Sequence, residues 1–443
     1  MYNLREALEK NKLLEIKVTL NEFNPVDIAN LLEDLDHEQT MKAFRLLNKD
    51  LAVDVFSNLS SDKQKQLIES TSDEEISRIV SSMFLDDTVD LIEEMPAGIV
   101  SKILRNTSPD HRKLINQFLK YPEDSAGSVM TVEYVALRTD MTVREALAKI
   151  RKYGIRNESV NDCFAVDNER RLEGIVPINE LIINEEDTKI ADIMTDNIEK
   201  VEVDSDQEYV AHLFRKYDLS NMPVVDKEGR LVGIITIDDI VDVIDQENTE
   251  DMQKMAAMKP SDKEYLKESV FELAKHRILW LLILMISATA TGGIIRRYET
   301  TLQSVVILAA FIPMLMDTGG NAGSQSSTLV IRGLALGEIK TSDVWKILWK
   351  EFRVSLIVGF VLAGLNFLRI LCFDSVEIKI ILVICSSLFF TVVIAKVVGG
   401  ILPIIAKKLR FDPAIMASPL ITTIVDACAL MIYFTIATTL LNI

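Results

Sequence analysis

The sequence predicts a multidomain chain: an α-helical superhelical N-domain, an α/β tandem module, a connecting helix and a five-helix α transmembrane domain. Three observations carry this reading. Almost every long apolar run lies after Arg277; two segments before it repeat each other in register; and short apolar faces separated by polar breaks fill the first part. At 443 residues the chain is too long for one core, so several domains are expected. The expected boundaries are 1–124, 125–248 (halves 125–190 and 191–248), 249–275 and 276–443.

The first part reads as short helices. Ile28, Leu31, Leu32 and Leu35 fall on one face, and similar segments recur at Ala43 to Leu47, Val53 to Leu59, Ile76 to Met83 and Val89 to Met95. Each buries one face on its neighbour, which suggests a right-angled or superhelical stack. Met1 to Lys10 has no apolar signal core, so this part is expected in the cytosol. A net charge of −18 excludes nucleic acid as a partner and favours cations. Cys163, Cys372, Cys385 and Cys428 lack CxxC spacing and read as buried small hydrophobes. His37, His111, His212 and His276 are isolated, leaving no zinc-type cluster and no nucleophile–base pair, so an enzyme is not expected.

The repeats are Ser128-Val-Met-Thr131 against Asp192-Ile-Met-Thr195, and Leu172-Glu-Gly-Ile-Val-Pro-Ile-Asn-Glu180 against Leu231-Val-Gly-Ile-Ile-Thr-Ile-Asp-Asp239. Each copy runs strand, helix, strand, strand, helix, with a Glu-Gly turn making a hairpin. These residues resemble a tandem CBS pair, which implies a ligand-sensing regulator. In some CBS domains Gly-x-x-Thr-x-x-Asp grips a nucleotide; Gly233, Thr236 and Asp239 fit it, which admits ATP at the second module, whereas the first copy has Pro177 and Glu180 in the matching places. The same residues have a structural reading, in which Gly233 turns the strand and Asp239 caps the next helix.

Asp251 to Lys275 reads as a long amphipathic connecting helix. Upstream of it, Asp238, Asp239, Asp242, Asp245, Glu247, Glu250 and Asp251 occur with no Lys or Arg among them. Such charges repel by roughly 1 to 4 kcal/mol per close pair, and divalent cations would cancel that repulsion. A solvated acidic face is the plainer alternative.

Five stretches reach the roughly 20 residues needed to cross a bilayer: Ile278 to Ile295, Leu302 to Leu336, Val354 to Cys372, Ile380 to Ala406 and Ala414 to Leu441. Basic groups at Lys275 to Arg277, Arg332 to Arg353 and Lys407 to Arg410 place the N-terminal domains in the cytosol and the C-terminus outside; Arg296 and Arg297 count against this. The second stretch contains Pro313 and Asp317-Thr-Gly-Gly-Asn-Ala-Gly-Ser-Gln-Ser-Ser-Thr328, read as a broken helix lining a wet path. Asp426 lies mid-span, where a carboxylate needs water or a cation. Asp412, at the cytosolic entrance, falls on the same helix face about 21 Å away or else caps the helix before Pro413. Lys396 either pairs with Asp426 or snorkels to the headgroups.

Pro313 to Gln325, Asp412-Pro-Ala-Ile-Met-Ala-Ser-Pro419 and Asp426, behind a CBS pair, together resemble the MgtE family of magnesium transporters over essentially the whole chain. The resemblance implies a helical N-domain, CBS pair and "plug" helix controlling five membrane helices. It also implies a homodimer in the plasma membrane with Mg²⁺ as both substrate and regulator. Asp426 matches the family's pore carboxylate and Asn321 its polar pore segment, with Asp412 at the entrance. Asp86, Asp90, Asp206, Glu208, Asp218, Asp239, Asp242, Glu247, Glu250 and Asp251 correspond to its sensor acids. The residues alone also fit a transporter of another divalent ion such as Co²⁺, or a membrane sensor that transports nothing.

Overall fold

The computed structural model describes residues 4–154, 157–261, 265–266, 268–374, 376–416 and 418–442. They form two units, Met1–Val243 and Ile244–Ile443.

The first unit begins with ten short helices among the described residues, α1 (Leu4–Glu9) to α10 (Pro109–Phe118). The polar breaks seen in the sequence are their caps. Asp36 accepts from Gln39 N, Ser72 forms a capping box with Glu75, and Ser108 accepts from His111 N with Pro109 at the first helical position. Neighbours pack in alternation, the helix Pro25–Glu33 on Lys49–Ser57, Lys49–Ser57 on Asp73–Ser82, and α8 (Leu85–Glu94) on α10, which is the superhelical stack expected.

The CBS pair follows. The first copy is α11 (Ala126–Val129), β1 (Tyr134–Arg138), α12 (Val143–Tyr153), β2 (Ser159–Val166), β3 (Leu172–Pro177) and α13 (Ile178–Ile183). The second is α14 (Ile190–Ile193), β4 (Val201–Glu202), α15 (Gln207–Tyr217), β5 (Asn221–Val225), β6 (Leu231–Thr236) and α16 (Ile237–Met255). Each sheet has a parallel pair followed by an antiparallel hairpin, β1-β2-β3 and β4-β5-β6. The repeated Met-Thr segments are exchanged: Thr131 of the first copy bridges Ile234 of the second, and Thr195 bridges Ile175 of the first. This exchange explains the glycines shared by both repeats. A Cβ on Gly174 would lie 2.6 Å from the Thr195 carbonyl, and one on Gly233 would lie 2.8 Å from that of Thr131. Gly233 therefore sits inside a strand where backbone passes close by, not at the turn expected of it.

Two expectations for the second half are corrected. The acidic helix is α16 itself, which continues from the CBS module and ends at Met255; the described residues between Ala256 and Ser269 are turns and extended chain, so no helix runs from Asp251 to Lys275. Ala257 adopts a left-handed φ of 54°, which stops the helix, and Gln253 exchanges two hydrogen bonds with the Ser261 backbone to hold the turn. Residues 262–264 and 267 of that stretch lie outside the described residues.

Among the described residues, five helices are long and apolar enough to cross a membrane. They are α17 (Val270–Arg297); α19 (Ile312–Ala335), preceded by the short α18 (Glu299–Ser304) and a 3-10 turn (Val306–Phe311); α20 (Val344–Phe373); α21 (Ile378–Lys408); and α22 (Ser418–Leu441). The second correction concerns α19. Its break lies before Pro313, and the polar segment Asp317 to Thr328 is continuous helix. Glycine makes this possible. Gly319, Gly320, Ala322, Gly323, Ser326 and Ser327 are buried, because α19 packs against both α21 and α22. A Cβ on Gly399 would fall 2.1 Å from the Gly323 carbonyl oxygen, so the two backbones touch there. Cys372 is exposed rather than buried, unlike Cys163 and Cys385.

Gly399→Ala should therefore destabilise the membrane unit by about 1–3 kcal/mol through overpacking. Gly364→Ala, whose Cβ meets nothing within 4 Å on α20, should be neutral or stabilising. Thermal unfolding in detergent distinguishes the two, and equal transitions would refute the packing account.

Candidate functional site: a membrane carboxylate and an acidic cluster

In the membrane unit, α19 and α22 run antiparallel. The Cβ positions of Gly323, Gly320 and Gly319 fall successively against Ile421, Thr422 and Val425. This register brings Asp426 to the level of Asp317. Asp426 is half-buried. On α19, Asp317, Asn321, Gln325 and Thr328 lie on one face by their spacing, and Asn321 and Gln325 are exposed. Asn321 thus lies one turn from Asp317 on an open polar stripe. No lipid-facing helix surface accommodates such a stripe without water or a protein partner.

Lys396 does neither of the things expected of it. It is 5% exposed, so it does not snorkel. Its Nζ donates to Gln325 Oε1 at 3.4 Å, and among the described residues it forms no ion pair with Asp426. Asp412 is committed elsewhere. Its Oδ1 accepts from Ala414 N at 2.8 Å, capping the 3-10 turn Pro413–Met416, and its Oδ2 pairs with Lys254 Nζ at 2.7 Å. Lys254 also pairs with Glu250 at 2.5 Å, and Met255 packs on Ile331 and Ala414. Burial opposes the charge on Lys254, but the hydrogen bonds from its ammonium to Asp412 and Glu250 prevail and hold its pKa above the usual lysine range. Asp251 is pushed up, by burial first and then by Asp412. The last turn of α16 is thereby fastened to the chain just before α22.

The first unit gathers acids that are far apart in sequence. Asp86 and Asp90 on α8 face Asp239 in the first turn of α16. Asp87 and Glu158 join them and were not anticipated; Glu158 immediately precedes β2 and carries no local signal, because only the fold brings it to α16. Burial pushes the Asp86 carboxyl up to about 9, with Asp239, Asp87 and Glu158 adding repulsion. Its Oδ1 and Glu158 Oε2 are buried without a hydrogen-bond partner among the described residues. Glu158 is pushed up to about 7, by burial and then by Asp239 and Asp238. Asp239 rises to about 6 through burial, against the lowering effect of the hydrogen bond from the Thr236 hydroxyl at 2.5 Å. Asp90 shifts the same way, by burial of its carboxyl and then by Glu93, although the residue as a whole is exposed and water screens the effect. No three His, Cys, Asp or Glu among the described residues close into a ready cage for a bare ion.

The remaining expected residues are not brought into that cluster by any contact described. Asp206 caps α15 by accepting from Tyr209 N at 3.2 Å, Asp218 ends the same helix with a left-handed φ of 51°, and Glu208 lies on its exposed first turn. Asp242, Glu247 and Glu250 follow Asp239 along α16. Thr236 and Asp239, expected to grip a nucleotide, are bonded to each other.

A superhelical acidic domain and CBS pair, followed by membrane helices that carry a carboxylate beside an open polar stripe, define a multi-pass membrane protein with a CBS-containing N-terminal part. The comparisons narrow the class. Residues 23–124 match the MgtE intracellular N domain, 126–185 and 190–246 match CBS domains, and 312–436 match the MgtE divalent cation transporter domain. The magnesium transporter MgtE of Thermus thermophilus is 35% identical over 99% of this chain and 98% of its own. That of Bacillus subtilis is 32% identical over 98% and 96%. Among solved structures, the cytosolic domain of the Mg²⁺ channel MgtE in complex with ATP superposes with a TM-score of 0.52 at 35% identity, covering 54% of this chain and 98% of that one. The chain belongs to the MgtE family, a family of transporters and not of enzymes.

The cluster predicts a pH dependence. These carboxyls bind protons more tightly folded than unfolded, so their contribution favours the native state below the ordinary carboxylate range and is lost as pH rises through about 6 to 9. Amide exchange in α8, corrected for its intrinsic rate and measured in chelator, should accelerate over that range, and Asp86→Asn should flatten the response. A wild-type profile in that variant would remove Asp86 from the cluster.

Proposed function

We propose that the protein is a magnesium channel or transporter of the cell membrane, gated by Mg²⁺ on its cytosolic domains. The observation that carries this is Asp426, a membrane carboxylate beside the open stripe of α19, in a chain that aligns with magnesium transporters from end to end. Mg²⁺ gives up its waters reluctantly, so a site of carboxylate and amide oxygens, Asp426 with Asn321, suits the hydrated ion. The exposed stripe suits a pore formed at the axis of a homodimer, with a second Asp426 from the other subunit. The basic loops favour an external C-terminus.

Gating follows from the acidic cluster. At high cytosolic Mg²⁺ the ion bridges Asp86, Asp90 and Asp239, with Asp206, Glu208, Asp218, Asp242, Glu247, Glu250 and Asp251 as further contributors. Compaction steadies α16, whose last turn reaches the chain before α22 through Lys254 and Asp412. At low Mg²⁺ the carboxylates repel and α16 is released. Shifting such an equilibrium from 1:99 to 99:1 takes about 5.5 kcal/mol of differential binding, which several weak sites share. ATP at the second CBS module, about Gly233, Thr236 and Asp239, is a further regulator supported by the ATP complex of the related cytosolic domain.

In liposomes carrying an Mg²⁺ indicator, flux should be high with the cytosolic face at low Mg²⁺ and fall at high Mg²⁺. Asp426→Ala should reduce it to the level of empty vesicles. Flux unchanged by that substitution defeats the transport reading, and flux equal at both concentrations defeats the gating.

A further inference from the structure

We propose that Asp317 is a second carboxylate of the permeation site, acting with Asp426 to set its preference for divalent over monovalent cations. The inference rests on the transport reading above and adds a residue that reading does not require. Asp317 lies four residues before Asn321 and eight before Gln325 on the same face of α19. The neighbouring face is fixed by packing: the Cβ position of Gly319 is 2.7 Å from the Thr391 γ-methyl and 3.0 Å from Val425 Cγ1. That contact fixes the rotation of α19 against α22 and keeps the backbones at Asp317 and Asp426 at one level. Thr391 in the same layer is 1% exposed with its hydroxyl unpartnered among the described residues, so the layer contains polar atoms beyond those its own contacts use.

Two carboxylates at one level of the bilayer raise each other's cost of ionisation, and a cation close to both relieves it. A divalent ion relieves more of this repulsion than a monovalent ion at the same distance. The site discriminates through charge density.

The test uses the full-length protein in liposomes, comparing Asp317→Asn, Asp317→Glu and Asp426→Asn. Asp426→Asn should abolish flux, whereas Asp317→Asn should raise the Mg²⁺ concentration for half-maximal flux about tenfold and increase Na⁺ leak relative to Mg²⁺ flux by a similar factor. Asp317→Glu should stay within about twofold of wild type on both readouts. Should Asp317→Asn fail to elute as a folded species, Asp317→Ser serves in its place with the same expectation. If Asp426→Asn abolishes flux while Asp317→Asn keeps wild-type half-saturation and selectivity, Asp317 has no such role and the transport reading stands. If Asp426→Asn is silent, that reading itself has failed.

Discussion

The backbone contact between Gly323 and Gly399 is the constraint on which the membrane half depends. Because α19 touches α21 without side chains between them, a helix rich in Gly, Ser and Thr is held inside a bundle of large apolar residues. Hydrophobic burial does little to associate helices that already sit in lipid, so close packing of small residues has to hold them together. With one face of α19 fixed in this way, its polar residues fall on the other. The polar stripe and the placement of Asp426 beside it are products of the same packing.

Electrostatics governs the soluble half in a complementary manner. The acids of α8 and α16 are brought together by a stack of helices and an exchanged pair of β-modules whose cores are apolar. Burying Asp86 Oδ1 without a hydrogen-bond partner among the described residues disfavours the charged carboxylate, and protonation relieves that cost.

Much of this is legible in the sequence, for physical reasons. Hydropathy marks the five spans because lipid admits few alternatives, repeat register marks the CBS pair, and cap residues mark the stacked helices. The departures share a cause. The Gly-rich stretch of α19 reads as a helix breaker by propensity, yet tertiary packing rewards the same glycines. The amphipathic pattern continues past Asp251 and suggests a connecting helix there, whereas the helix has already begun at Ile237 and is stopped by Ala257. Glu158, Asp87 and the pairing of Lys254 with Asp412 are invisible in the sequence because each depends on residues distant in the chain. Lys396, whose obvious partner by charge is a carboxylate, bonds to an amide instead.

The exchanged segments of the CBS pair bear on how the protein is made. Thr131 cannot find its place until Ile234 has left the ribosome, so the first module waits, unfinished, for the end of the second. Val270 and the first membrane span emerge only afterwards. Synthesis in this order lets the sensor close on itself before the translocation machinery takes hold of the remainder.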